Sequence, residues 1–305
     1  IEPAAQIELS AGPFEDLQKA KEVFTAYRET LDNLLTPKDM RVVAQGYHPT
    51  ATARSLDLIP KRRYAFMNRY LSAKDIYGPC MMRGSASTQI SIDYTSEQDC
   101  LRKMRIAYAL TPILSLICDN SPVFEGKPRT HKLIRTDIWR HTDNDRCGLV
   151  PGALSSGFSF ESYAEYVLDT PAIVAPDEKE GWRYCEQTFG QLYADKPMTR
   201  EQVEHAVSMQ FPDVRLKTYL EIRPADSMPI PYVIAYAALI KGLFYDEGNL
   251  QQLEALFVDV DADAFELAKD DLMEHGYDAH VYGAPVADLC DRIIAIAENG
   301  LSTGD

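Results

Sequence analysis

Val214-Arg215-Leu216-Lys217-Thr218-Tyr219-Leu220-Glu221-Ile222-Arg223 alternates, residue by residue, between apolar and polar side chains. A period of two marks an extended strand whose two faces meet different surroundings. Val214, Leu216, Leu220 and Ile222 belong on a core, while Arg215, Lys217, Tyr219, Glu221 and Arg223 share the opposite face. Residues 81–94 alternate in the same way. There Arg83, Ser85, Ser87, Gln89, Ser91 and Asp93 oppose Met82, Ala86, Ile90 and Ile92. Residues 1–10 set Glu2, Ala4, Gln6, Glu8 and Ser10 against Ile1, Pro3, Ala5, Ile7 and Leu9. Strands covered on both faces of a parallel sheet read as continuous apolar runs, and these do not. The predicted fold class is α+β, a curved, mainly antiparallel sheet with helices packed on one face.

Outward from these strands, residues 40–47 read as a further short strand. Residues 14–35 and 64–70 carry helical periodicity. Thr95 with Gln98, and Thr199 with Gln202, have the spacing of capping boxes that open helices. The first helix runs toward Cys118, and the second ends before Pro212. Residues 119–157 read as a long loop, 160–168 as a short helix, and 231–300 as mostly helical. With no repeat or low-complexity linker, residues 1–305 are expected to form a single domain, of which 249–305 is a helical C-terminal part.

The composition narrows the function. A net charge of −15 opposes phosphate backbones, so nucleic acid is not an expected partner. No apolar run reaches the roughly 18 residues a bilayer span needs, so neither is a membrane. The six cysteines form no CxxC pair and are expected as free thiols of a reducing cytoplasm. The six histidines show no metal-binding spacing.

A wet strand face by itself needs no explanation. Here, though, carboxylates, guanidiniums and an amide recur on three separated strands. Glu2 and Glu8 suit a hard cation that takes oxygen ligands. Arginines beside such acids suit phosphate or carboxylate substrates through paired hydrogen bonds. Together they can hold Mg2+ and a nucleotide triphosphate, the cation cancelling repulsion between acids and phosphates.

At these residues the sequence resembles the plant-type and bacterial group 2 glutamate–cysteine ligases of the glutamine synthetase-like superfamily. Ile1-Glu2-Pro3-Ala4-Ala5-Gln6-Ile7-Glu8-Leu9-Ser10 resembles the family's E-P-G-G-Q-x-E-L-S strand. Pro60-Lys61-Arg62-Arg63-Tyr64 with Met67 resembles its P-K-x-R-Y-x-x-M motif, and Met82-Arg83 with Thr88-Gln89-Ile90-Ser91-Ile92-Asp93 its substrate strand. Asn120-Ser121-Pro122 with Glu125-Gly126-Lys127-Pro128, then Arg135 through Ile138-Trp139, Thr142-Asp143, Asp145-Arg146 and Gly148, follow in the family's order. Residues 211–226 complete the series, and nothing after 248 carries a motif of the family.

The resemblance implies metal ligands at Glu2, Glu8 and Glu221, and a catalytic role for Glu221 and Arg223. It implies substrate contacts from Arg83, Arg135, Gln89 and Ser91, and ATP contacts from Arg223 and Lys217. The implied cofactors are ATP and Mg2+, with Mn2+ as a substitute, and the implied substrates glutamate and cysteine. The implied reaction passes through γ-glutamyl phosphate to γ-glutamylcysteine, a step of glutathione-type thiol synthesis. Two departures stand out: the family's paired glycines are Ala4 and Ala5, and Ser91 replaces an Asn of the plant enzymes. Family members also carry a preceding stretch with more metal-binding glutamates, so a segment ahead of Ile1 is expected. The alternatives are a ligase for another acceptor and a non-catalytic homologue that binds ligand.

Overall fold

The computed structural model describes residues 2–4 and 6–301. Its helices are α1 (Leu17–Leu35), α2 (Arg62–Lys74), α3 (Gly78–Gly84), α4 (Glu97–Ile117), α5 (Ile134–Arg140), α6 (Phe160–Asp169), α7 (Phe189–Leu192), α8 (Arg200–Ser208), α9 (Ile230–Phe244), α10 (Glu247–Leu256), α11 (Ala262–His275) and α12 (Val286–Asn299). Its strands are β1 (Ile90–Ile92), β2 (Val123–Phe124), β3 (Lys127–Pro128), β4 (Cys147–Gly148), β5 (Pro171–Asp177), β6 (Gly181–Thr188), β7 (Phe211–Pro212), β8 (Val214–Leu216), β9 (Leu220–Ile222), β10 (His280–Val281) and β11 (Ala284–Pro285).

The mixture of helix and antiparallel strand agrees with the α+β expectation. Among the described residues, however, there is no single curved sheet. Five small sheets appear instead, the largest with the order β1-β9-β8, and only the β4–β7 pair is parallel. Two antiparallel strand pairs build the central sheet. The segment 214–223 is a hairpin, not one strand, with Lys217, Thr218 and Tyr219 in its turn.

The other strand expectations also change. In 81–94 the first residues complete α3, where Pro79 sits in the first turn, a position a proline tolerates because the N–H it lacks has no helical partner there. Only Ile90–Ile92 pairs as a strand, although Ser87 makes an isolated bridge to Asp226. Residues 40–47 pair only at Tyr47, with Ser85. In 1–10, Ile1 and Ala5 lie outside the described residues, and the others join no sheet. They are held by an amide instead. Gln6 accepts from the Ala4 N–H at 3.1 Å and donates to the Met82 and Ser85 carbonyls at 3.3 and 3.2 Å. A ladder needs a neighbouring strand, and the described residues offer this segment none.

The helices follow local chemistry closely. Thr199 and Gln202 form the expected reciprocal box at α8. At α4 the cap moves one residue: Ser96 accepts from the Asp99 N–H at 3.2 Å, and Asp99 in turn accepts from the Thr95 N–H at 2.9 Å. The C-terminal half of α4 is buried from Ile106 to Leu114 and forms the pillar under the sheet. Its Tyr108 hydroxyl donates to the Val214 carbonyl at 2.9 Å and so fixes the height of β8 on the helix. One hydrophobic cluster continues from Met67 on α2 through α4, β8 and β9 to Ala297 on α12. Where α9 crosses α12 the backbones nearly touch: a Cβ on Gly242 would lie 2.2 Å from the Ala297 carbonyl oxygen. The residues 119–157 expected as a loop contain the β2–β3 hairpin, α5 and β4. All six cysteines are buried free thiols. Among the described residues no helix is long and apolar enough to cross a membrane.

Candidate active site

The hairpin β8–β9 sets Arg215 opposite Glu221, and β1 sets Ser91 opposite the other side of Glu221. Residues directly opposed in antiparallel strands share a face, so Glu221 stands in the middle of a short row. Its carboxylate is buried and meets three cations. Arg215 Nη2 and Arg223 Nη1 both lie 2.6 Å from Oε2, and Lys217 Nζ lies 3.3 Å from Oε1. Burial opposes ionisation of Glu221, but Arg223, Arg215 and Lys217 outweigh it and hold its pKa at about 2. One negative charge against three positive ones leaves the cluster with a positive surplus.

Arg223 extends the row. Its Nη1 also donates to Gln89 Oε1 at 2.9 Å, and the Gln89 amide donates onward to Ser87 Oγ at 3.0 Å. Among the described residues both recorded side-chain hydrogen bonds of Arg223 leave from Nη1. Its Nε and Nη2 protons remain for an incoming acceptor. The guanidinium lies 5.8 Å from the ring centre of Trp139. Beside it opens a narrow cleft of about 30 Å3 lined by Arg135, Trp139, Gly148, Phe211, Asp213 and Arg223 among others. Lys217 is steadied by the Tyr219 hydroxyl at 3.2 Å.

The structure therefore brings Gln89, Ser91, Lys217, Glu221 and Arg223 together, with Arg135 behind them. Arg135 is almost wholly buried. Its Nη1 donates to the Pro224 and Ala225 carbonyls at 3.0 Å each and meets Asp226 Oδ1 at 3.3 Å. Burial lowers its pKa, and Asp226 offsets part of that. Its Nε is buried without a partner. Asp226 also accepts from the Asn120 N–H and the Ser121 hydroxyl at 2.8 and 2.5 Å. Gly46 makes that packing possible, since a Cβ there would lie 2.2 Å from the Asp226 carboxyl carbon.

Arg83 sits on α3 instead of a strand and spends its donors locally. Nη1 bonds the Leu56 carbonyl at 2.9 Å, and Nη2 bonds Asn68 Oδ1 at 2.7 Å.

Glu2 and Glu8 form a separate acidic pair. Burial raises the Glu2 pKa, and its contact with Glu8 raises it further, while Lys61 works against both. The expected three-carboxylate set is thus divided between this pair and Glu221. Among the described residues no three His, Cys, Asp or Glu side chains are placed to hold a metal together. The donor chemistry of the pair nonetheless fits a divalent cation, because two hard oxygen donors repel until a cation lies between them. The two groups share one support: Gln6, two residues from Glu8, is bonded to Ser85 O, and the strip 85–91 carries Gln89 and Ser91.

Arg215 is the residue that reading the sequence left out of the site. The alternation had placed it on the right face. What it lacked was the hairpin register, which makes Arg215 a direct partner of Glu221. Within the Thr142-Asp143 and Asp145-Arg146 signature one pair is built into the core. Arg146 and Asp143 are fully buried and meet at 2.6 Å, and Arg146 also donates to the Met209 and Pro171 carbonyls.

Comparison with known proteins adds an independent line. The family model described as glutamate-cysteine ligase family 2 matches residues 1–277. Among curated proteins, the chain is 31% identical to the chloroplastic glutamate–cysteine ligase B of Oryza sativa subsp. japonica, over 99% of this chain and 62% of that protein. It is 30% identical to the chloroplastic glutamate–cysteine ligase of Arabidopsis thaliana, over 99% of this chain and 59% of that protein. The corresponding enzyme of Nicotiana tabacum is 29% identical, with the same 99% and 59% coverage. The chain thus spans roughly six-tenths of the length of these relatives.

Proposed function

The chain belongs to glutamate-cysteine ligase family 2, and from that premise we propose that it carries the catalytic domain of an ATP-dependent ligase joining the γ-carboxylate of glutamate to the amine of cysteine. A carboxylate is a poor acyl donor because oxide is a poor leaving group. Transfer of the γ-phosphoryl group of ATP to the glutamate carboxylate gives γ-glutamyl phosphate and ADP. The cysteine amine then attacks the activated carbonyl, and phosphate leaves. No protein nucleophile is required, so the protein's work is positioning and charge stabilisation.

The observation that carries this reading is the positive surplus around Glu221, with Arg223 donors unspent beside a cleft. In this reading Arg223 receives the transferring phosphoryl oxygens and Lys217 and Arg215 the neighbouring ones. Glu221 keeps the cations from driving one another apart, and the separate pair Glu2 and Glu8 would hold a divalent metal. Mg2+, or Mn2+ in its place, supplies Lewis acidity toward phosphate oxygens when bound. Gln89 and Ser91 face the substrate from the adjacent strand. Arg83 and Arg135 remain the proposed contacts for the glutamate carboxylates, Arg135 by way of the cleft it lines with Arg223. Residues 1–305 act in this proposal as one domain.

The test is Mg2+-dependent release of ADP from ATP in the presence of glutamate and cysteine, with γ-glutamylcysteine identified as the product. ADP release that requires another amine in place of cysteine identifies a ligase of different acceptor. Binding of ATP without any ADP release, over a panel of amino acids, would establish a non-catalytic homologue.

A further inference from the structure

We infer that Trp139 is a positioning residue for Arg223. Its indole face holds the guanidinium in the orientation that presents the Nε and Nη2 donors to a phosphate. The inference rests on the ligase reading and adds a residue to it. Three features of the structure carry it.

Arg223 is shared among competing partners. Glu221 and Gln89 both draw on Nη1, at 2.6 and 2.9 Å. Left to these acceptors, the guanidinium is free to rotate and offer further protons to Glu221, a bidentate arrangement that arginine and carboxylate favour. The ring of Trp139, its centre 5.8 Å from the guanidinium carbon, provides a second attraction. The head group thus answers to both carboxylate and indole.

Trp139 is itself held. Its neighbour Ile138 is fully buried. On the other side Arg140 bonds Glu266 at 2.6 Å and pairs also with Asp270. One turn earlier on α5, Arg135 is fixed to Asp226. The indole packs at 6.0 Å, tilted by 46°, against Phe211. A platform anchored on both flanks and braced by a second ring has little freedom to follow Arg223.

Trp139 and Arg223 also line the same narrow cleft. An indole buried for packing alone has no need to present its face to a cation at a site mouth. Here that face is paired with Arg223, whose unspent Nε and Nη2 donors border the cleft.

The experiment uses the chain's two tryptophans, Trp139 and Trp182. Trp182→Phe leaves Trp139 as the sole indole reporter, in a residue outside the proposed machinery. In that parent, ATP with Mg2+ is titrated by calorimetry and by fluorescence. Binding that shifts Trp139 emission is the expected result. Binding with no shift overturns the inference, since a nucleotide engaging Arg223 must disturb the ring it rests on. Next, Trp139→Leu is expected to weaken ATP binding about 3- to 30-fold, the range of a partly desolvated cation–π contact. Trp139→Phe, which keeps an aromatic face, is expected to recover most of that loss. Equal losses in Leu and Phe overturn the inference in favour of packing.

A cycle with Arg223→Ala separates action through Arg223 from general damage. Trp139→Leu should cost no further affinity in that background, and an additive loss overturns the proposal. Should Trp139→Leu fail to fold, the Phe variant and the parent's fluorescence still decide it. If the parent neither binds ATP nor releases ADP, the ligase reading itself fails. If the parent does both and the Trp139 variants match it, only the present inference fails.

Discussion

Glu221 concentrates the residue-scale physics of this molecule. Its carboxyl is buried and its pKa is nevertheless depressed from 4.5 to about 2, because Arg223, Arg215 and Lys217 outweigh the cost of burial. A folded-state pKa below the unfolded value contributes stability that is present above about pH 4.5 and is lost as pH falls toward 2. The depression corresponds to about 3 kcal/mol at neutral pH. Glu221→Gln should therefore abolish ATP turnover and also lower the unfolding free energy by about that amount at pH 7. Urea melts of both proteins at pH 7 and at pH 3 check this. The gap between them should narrow on acidification, and a gap that stays constant would remove Glu221 from its ionised role. Which residues share this cluster was legible in the sequence for Glu221, Arg223, Lys217, Gln89 and Ser91. Glu2 and Glu8 were legible as a pair of acids, but grouping them with Glu221 did not survive, because no periodicity tells where a segment without a sheet partner will lie. Arg83 was misplaced for a related reason: a helix of one to two turns, Gly78–Gly84, gives too few residues for a 3.6 period to compete with an alternation that continues downstream.

At the scale of elements, the hairpin β8–β9 explains why a wrong strand still gave the right face. Its register pairs residue 214 with 222 and 216 with 220, so the turn is centred on Thr218 itself. Folding about a residue, not about a peptide bond, preserves parity. Arg215, Lys217, Glu221 and Arg223 therefore stay on one side whether the chain runs straight or doubles back. Face is legible from alternation, but reach is not. The straight reading spreads the charges along the sheet, whereas the hairpin gathers them onto one carboxylate. Helix ends were easier, because capping chemistry is local. Thr199 and Gln202 satisfy each other's terminal N–H groups at α8. Just beyond that helix, the Gln210 carbonyl accepts from Arg215 Nη1 at 3.0 Å. Thr199→Ala is expected to cost about 1 kcal/mol in thermal or urea unfolding. ATP affinity should hardly change, since the cap lies at the far end of α8 from Gln210. A cost below about 0.2 kcal/mol would mean that α8 is fixed by its packing alone.

Across the whole molecule, the buried Asp143–Arg146 pair of the family signature acts as a junction. Arg146 is fully buried and reaches Asp143 through Nε, Met209 through Nη1 and Pro171 through Nη2, with Tyr70 of α2 5.5 Å from its guanidinium. Three distant segments converge on one side chain, among them the end of α8 next to the site. From sequence the pair was legible only as a motif, because spacing carries no record of burial. The buried pair makes a sharp prediction. Removing one partner leaves the other charge unpaired in the interior, so Asp143→Leu and Arg146→Met should each cost about 3–5 kcal/mol. Replacing both removes the charges together and restores apolar contact, so the double variant should be more stable than either single one. Chemical unfolding of all four proteins measures the coupling directly. The double variant should also keep its Mg2+-dependent ATP binding, since neither side chain is exposed to the cleft. Additive losses in the double variant would show that Arg146 acts mainly through its backbone acceptors, Met209 and Pro171. Loss of nucleotide binding in a folded double variant would instead move this signature into the active site.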